Sequence, residues 1–134
     1  MFKNYSFVSL LIILLLIPIC GYAQKKNDNN KNTAITLSST SYDQEISKGV
    51  VLVDYWAPWC GPCRKLERVL MDVVNETGIK LGKLNVDNYE AFVSKKNIRT
   101  IPTLILYKDG KEVQRLVGLY SKEELLSVVK PYLK

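Results

Sequence analysis

Val50-Val51-Leu52-Val53-Asp54-Tyr55-Trp56-Ala57-Pro58-Trp59-Cys60-Gly61-Pro62-Cys63 carries an apolar run into two cysteines separated by two residues. Residues 50–55 are almost continuously apolar, as expected for a central strand covered on both faces. Behind Cys63 the apolar residues fall at Leu66, Val69, Leu70, Val73 and Val74, one face of an amphipathic helix. The cysteines therefore stand at a strand-to-helix junction. Their spacing puts both sulfurs on one turn, close enough to bond, and the helix start favours a thiolate there. That describes a site for thiol–disulfide exchange.

Composition narrows the other uses of such a pair. The chain has 134 residues, enough for one domain with an ordinary core, and three cysteines, of which Cys20 lies in an apolar amino-terminal segment. A disulfide-stapled scaffold needs more bridges over longer loops. With no His anywhere, a zinc site has only carboxylates to complete it, and a c-type haem site finds Arg64 where it needs His. No Gly-x-Gly-x-x-Gly and no phosphate loop is present, so no metal and no cofactor is expected. The balance of 19 Lys+Arg against 13 Asp+Glu is moderately basic. Its lysines are scattered and those in 25–31 are diluted by asparagine, which fits a solvated surface better than nucleic-acid binding.

Lys3, an apolar centre over 7–19 and the small-residue end Gly21-Tyr22-Ala23 match a secretory signal over residues 1–23, cleaved after Ala23. Two alternatives stand: an uncleaved membrane anchor, or lipidation at Cys20, against which Ile19 is bulky. Each exports the domain across a membrane, with a bacterial periplasm as the expected compartment. Cleavage would remove one cation and no acid. Residues 24–33 hold no apolar side chain and are expected to form a flexible linker, with the domain over 34–134.

Within that domain, 35–37 alternates like a short strand. Ser41-x-x-Gln44 resembles a capping box opening a short helix that Gly49 ends. Pro62 suits the first turn of the helix after the cysteines and Gly78 its end. A strand follows over 79–86, then a short helix over 88–96 with Ala91 and Phe92 inward. Strands over 103–107 and 111–117 flank Asp109-Gly110, a strong hairpin signal. Ser121-x-x-Glu124 caps a final helix whose face holds Leu125, Leu126, Val128, Val129 and Leu133, with Pro131 loosening its last turn. The order β-α-β-α-β-α-β-β-α predicts an α/β fold: a central mixed β-sheet flanked by helices on both faces.

Three blocks join the cysteine run to a known family. Lys83-Leu84-Asn85-Val86-Asp87, then Ile98-Arg99-Thr100-Ile101-Pro102-Thr103, then Val117-Gly118 recur in order behind residues 51–63. Over about 35–134 the chain resembles the thioredoxins, and the resemblance implies the thioredoxin fold and the reduction of protein disulfides. The Gly61-Pro62 pair is the one found in reducing thioredoxins. An oxidase or isomerase of the same fold remains an alternative, and so does a binding or chaperone module with incidental cysteines.

Cys60, at the helix start, is the expected nucleophile, and Cys63 then resolves the mixed disulfide. A purely structural Cys60–Cys63 bridge would contribute only about 2 kcal/mol over so short a loop. Asp54, an acid in an apolar strand, invites a raised pKa, although a strand-end acid could also reach solvent. The resemblance makes Asp54 the proton acceptor and donor for the resolving cysteine and puts Lys83 beside it; alone, Lys83 reads equally as a surface lysine. It also implies a cis-proline loop at Ile101-Pro102, where the residues alone allow an ordinary trans turn. Trp59, Gly61, Pro62 and Gly118 would border the same substrate surface. Trp56, and alternatively Trp59, also fit as core aromatics. Arg68 departs from the family, which usually has a helix-kinking proline there, and predicts a straighter helix. With Arg64 and Lys65 it makes the region basic, which helps thiolate formation and favours an acidic partner. The expected partners are disulfide-bearing proteins and, because an oxidising compartment must resupply electrons, a membrane-embedded thiol donor; a monomer is expected.

Overall fold

The computed structural model describes residues 34–134, so the signal, anchor, lipidation and linker readings of residues 1–33 lie outside the described residues. Among the described residues, five strands and four helices alternate in the expected order: β1 (Ile35–Thr36), α1 (Tyr42–Ile46), β2 (Val50–Trp56), α2 (Gly61–Thr77), β3 (Lys80–Asn85), α3 (Glu90–Lys95), β4 (Thr103–Lys108), β5 (Lys111–Val117) and α4 (Lys122–Val129). Short 3-10 turns occupy Val86–Asn88 and Lys130–Tyr132. The sheet order is β1-β3-β2-β4-β5. β3 runs parallel to both β1 and β2, while β4 is antiparallel to β2 and β5, which makes the sheet mixed.

Period-two alternation sorts β2 between two cores. Leu52 packs with Leu66, Leu70, Val73 and Val74 of α2 and Leu125 and Val129 of α4. Val51, Val53 and Tyr55 face the other way, toward Tyr42 and Ile46 of α1 and Val93 of α3. In that second core the Tyr42 hydroxyl lies 2.6 Å from that of Tyr55 and donates to that of Tyr107 at 2.8 Å. Each phenol is thereby satisfied where it is buried, and desolvation pushes all three above the ordinary tyrosine range.

Gly82 is required by a close approach. A Cβ there would stand 2.5 Å from Cδ1 of the buried Leu37, whose side chain fills the missing one's space. At the hairpin tip, Asp109 (φ 49°) and Gly110 (φ 82°) both take the left-handed conformation of a tight hairpin turn. The tip also clasps the start of β2, because Gly49 N–H donates to Asp109 Oδ1 at 2.8 Å.

Four local expectations are corrected. Ser41 makes no box with Gln44; Ser38 and Ser41 exchange N–H···Oγ bonds at 3.0 Å, because the turn into α1 begins at Ser38. Gly49 is left-handed, but α1 has already ended at Ile46, with Ser47 Oγ donating to the Gln44 carbonyl. Ala91 is exposed and Val93 is the buried residue of α3, since the 3-10 turn ahead of it shifts the helical phase. Leu133 is exposed, because Pro131 turns the end of α4 into a 3-10 turn.

Candidate active site

β2 ends at Trp56, and Ala57-Pro58-Trp59 carries the chain to Cys60, the N-cap of α2. Cys60 is extended (φ −82°, ψ 104°), so its side chain folds back over the first turn, and Sγ accepts the Cys63 N–H at 3.2 Å. One of the four orphan donors of the helix start is thus aimed at the sulfur, where it favours negative charge. Pro62 occupies the first turn, where no N–H is needed. The two sulfurs are bonded, with S–S 2.10 Å and Cα–Cα 5.3 Å, so this is the oxidised form. The pair is 4% and 3% exposed and forms a small apolar cluster with Ala57, against which Trp56, Val86 and Ile101 pack.

Two open grooves flank the pair. One, of about 360 Å³, runs between Trp59 and Ile101 over Val86, Val93 and Ile98. The other, of about 470 Å³, is lined by Gly61, Pro62, Leu119, Arg64, Lys65 and Arg68. Trp59 is 68% exposed and not a core aromatic, whereas Trp56 is half-buried. The Trp59 indole N–H donates to the carboxylate of Asp87. The Ile101–Pro102 peptide bond is cis. The Pro102 carbonyl accepts the Gly118 N–H at 2.9 Å, and Thr103 Oγ1 donates to the Thr100 carbonyl at 2.7 Å. Ile101 thus packs against the sulfur pair, Trp59 lines the first groove and Gly61 and Pro62 the second, and Pro102 follows Ile101 through the cis bond with Gly118 bonded to it. α2 runs without a break through Arg68.

Asp54 is 1% exposed, so the solvent-reaching alternative does not hold, and its Oδ1 has no hydrogen-bond partner among the described residues. It shares the β2 face of Leu52, toward α2, and the sheet register sets it beside Lys83. Desolvation pushes its carboxyl up to about 7; Lys83 pulls against the shift and Glu67 adds to it. Lys83 is mostly covered, with its Nζ bonded to Glu67 and 4.7 Å from the centroid of Trp56. The arrangement can hold a thiolate at Cys60, close a disulfide to Cys63 and keep a proton near neutrality on a buried acid.

Two residues escaped the sequence reading. Asp87 stood in a recognised block without a role. Glu67 sat among the polar positions of α2, and its distance of four residues from Cys63 was the only signal.

Comparison with known proteins places these features. The family model described as thioredoxin matches residues 33–131. The thioredoxin of Chlamydia caviae is 42% identical over 94 residues, spanning 69% of this chain and 92% of that protein. That of Bacillus subtilis is 40% identical over 101 residues, spanning 74% and 97%. Among solved structures, a mutant thioredoxin from Halobacterium salinarum superposes with a TM-score of 0.73 at 33% identity, covering 78% of this chain and 94% of that one.

Proposed function

The chain belongs to the thioredoxin family, and from that premise we propose that it is an exported reductant of protein disulfides. Its chemistry is thiol–disulfide oxidoreduction, with protein-disulfide reductase activity through Cys60 and Cys63. The observation that carries this is Cys60 Sγ at the N-cap of α2, bonded to Cys63 and accepting its N–H.

In the reduced protein the Cys60 thiolate attacks one sulfur of a substrate disulfide. A Cys60–substrate bond forms, the substrate S–S breaks, and the departing sulfur takes a proton from solvent. Cys63 then gives up its thiol proton and attacks Cys60 Sγ. The intramolecular disulfide forms and the second substrate sulfur leaves as a thiolate. Two electrons pass from the dithiol to the substrate, which leaves the protein in the oxidised form described above.

Asp54 is the acceptor for the Cys63 proton on this reading. A carboxyl held at about 7 gives and takes protons at neutral pH, which an ordinary aspartate does not. Lys83, the one cation beside it in register, moderates that value. Trp59, Gly61, Pro62, Ile101, Pro102 and Gly118 form the contact surface for the disulfide-bearing segment.

Export rests on the pattern of residues 1–23: one cation, an apolar centre and a small-residue end. The periplasm or an equivalent space then requires an electron source, which we assign to a membrane-embedded thiol donor. A monomer is part of the same proposal. Trapping tests the core of the reading: Cys63→Ser should accumulate mixed disulfides through Cys60, and their protein partners are the substrates. A Cys63→Ser protein that traps nothing, together with a Cys60→Ser protein that still functions in cells, would overturn it. Amino-terminal sequencing of the protein from a periplasmic fraction should begin at Gln24; recovery with the cytoplasm would sink export.

A further inference from the structure

We propose that Glu67 is a positioning residue for proton transfer at the redox pair: by holding Lys83 it keeps the ammonium off Asp54 and leaves the buried carboxyl free to serve Cys63. This rests on the reading of Asp54 as the proton acceptor, and deepens it.

The β2–β3 register sets Asp54 directly beside Lys83, and both residues share their strand faces with Leu52 and Leu81 of the α2-side core. Opposite charges so placed at the edge of a low-dielectric core should close on one another. They do not. Lys83 Nζ donates to Glu67 Oε1 and stands over the Trp56 ring, while Asp54 Oδ1 is buried without a partner among the described residues. One ammonium is contested by two carboxylates, and the half-exposed one has it.

The physical reason lies in solvation. Glu67 keeps 46% of its side chain exposed, so it holds the ammonium while remaining largely solvated. Asp54 must shed water to be where it is, so its ionised form is expensive and its neutral form attracts Lys83 weakly. The Trp56 ring, 4.7 Å from the same ammonium, adds a cation–π contact to its hold there.

Glu67 also stands one turn beyond Cys63 on α2. Its bond to Lys83 therefore ties the active-site helix to β3 beside the sulfur pair. Among the described residues, the charged groups that bear on Asp54 are Lys83 from β3 and Glu67 from α2, with apolar Leu104 opposite it on β4. Of these, Glu67 raises the proton affinity of Asp54 both by its own charge and by detaining Lys83.

The test titrates the Asp54 carboxyl by carbon-13 NMR in oxidised and reduced protein, alongside the pH profile of the resolution step in single turnover. Glu67→Gln should release Lys83 toward Asp54 and lower the carboxyl's proton affinity about tenfold, one pH unit on the titration midpoint. Glu67→Asp should restore much of the wild-type midpoint, and Lys83→Met should move it upward. In the Lys83→Met background, Glu67→Gln should shift the midpoint far less than it does alone, because no lysine remains to be released. A Glu67→Gln midpoint that stays or rises overturns the proposal, and so does an equal shift with and without Lys83. Failure of the underlying reading looks different: Asp54→Asn would leave the pH profile of the resolution step unchanged.

Discussion

The indole N–H of Trp59 is shared between both oxygens of the Asp87 carboxylate, 3.2 Å from Oδ1 and 3.1 Å from Oδ2. Asp87 is itself held, its backbone N–H donating to Asn85 Oδ1 at 3.0 Å. A large, exposed ring at the rim of the first groove is thereby kept in one orientation. Asp87→Ala should free the ring and leave the sulfur chemistry untouched. A hydrogen bond of about 1 kcal/mol corresponds to roughly fivefold. KM for a protein disulfide should rise by about that factor, with small-molecule disulfides unaffected, and Trp59 fluorescence anisotropy should fall. Equal losses on both substrate types would contradict this account.

Asp54 makes stability depend on pH. The folded protein keeps a proton on this carboxyl up to about pH 7, whereas the unfolded chain releases it near pH 4. The folded state thus binds more protons between those values, and stability falls as pH rises through the window. Ionised and buried, Asp54 costs on the order of 4 kcal/mol by pH 8, an upper figure at about 1.4 kcal/mol per pH unit. Asp54→Asn should therefore be more stable than wild type by about 2–4 kcal/mol in urea at pH 8, converging below pH 4. A variant no more stable at pH 8 would show that the carboxyl is solvated after all.

The second groove combines apolar Pro62 and Leu119 with Arg64, Lys65 and Arg68. Arg64 and Lys65 sit in the first turn of α2, where cations oppose the helix dipole and no acidic residue offsets them. A substrate with acidic residues beside its disulfide should be captured faster. Reversing Arg64 and Arg68 to Glu should slow stopped-flow reduction of such a substrate at least tenfold at low salt. At 1 M salt, where screening acts over about 3 Å, most of the difference should vanish. A salt-independent loss would point to altered helix packing.

Gly82 offers a purely structural check. Gly82→Ala drives a methyl into Leu37, which is buried and has little room to withdraw. Overpacking of this kind costs about 1–3 kcal/mol. Chemical denaturation should show that loss, and Leu37→Ala in the same chain should not add to it fully, since it vacates the contested space.

How much was legible in the chain follows from the range of the interactions involved. Asp109-Gly110 and the Ser121–Glu124 capping box were read correctly because turn and cap chemistry act over three or four residues. Ser41-x-x-Gln44 carried the same kind of signal, yet Ser38 reached Ser41 first. Asp54 stood out because an acid inside an apolar run has no comfortable place. Glu67 did not, because its partner Lys83 lies 16 residues away on strand β3, and only the β2–β3 register together with the packing of α2 on the sheet brings the three charges together. The exposure of Trp59 was equally unreadable, since it depends on where Asp87 comes to rest.

The strand from which the cysteine loop hangs is hydrogen-bonded along both edges, to β3 on one side and β4 on the other. β1, with two residues, and β5, with one free edge, can fray and re-form without disturbing it. Amide exchange should accordingly be slowest at Leu52, Val53 and Tyr55 and fastest along the sheet margins. The reactive end is thus suspended from the part of the molecule that opens last. A partner that pulls on one sulfur pulls against the whole fold, and the loop keeps its shape while the borders breathe.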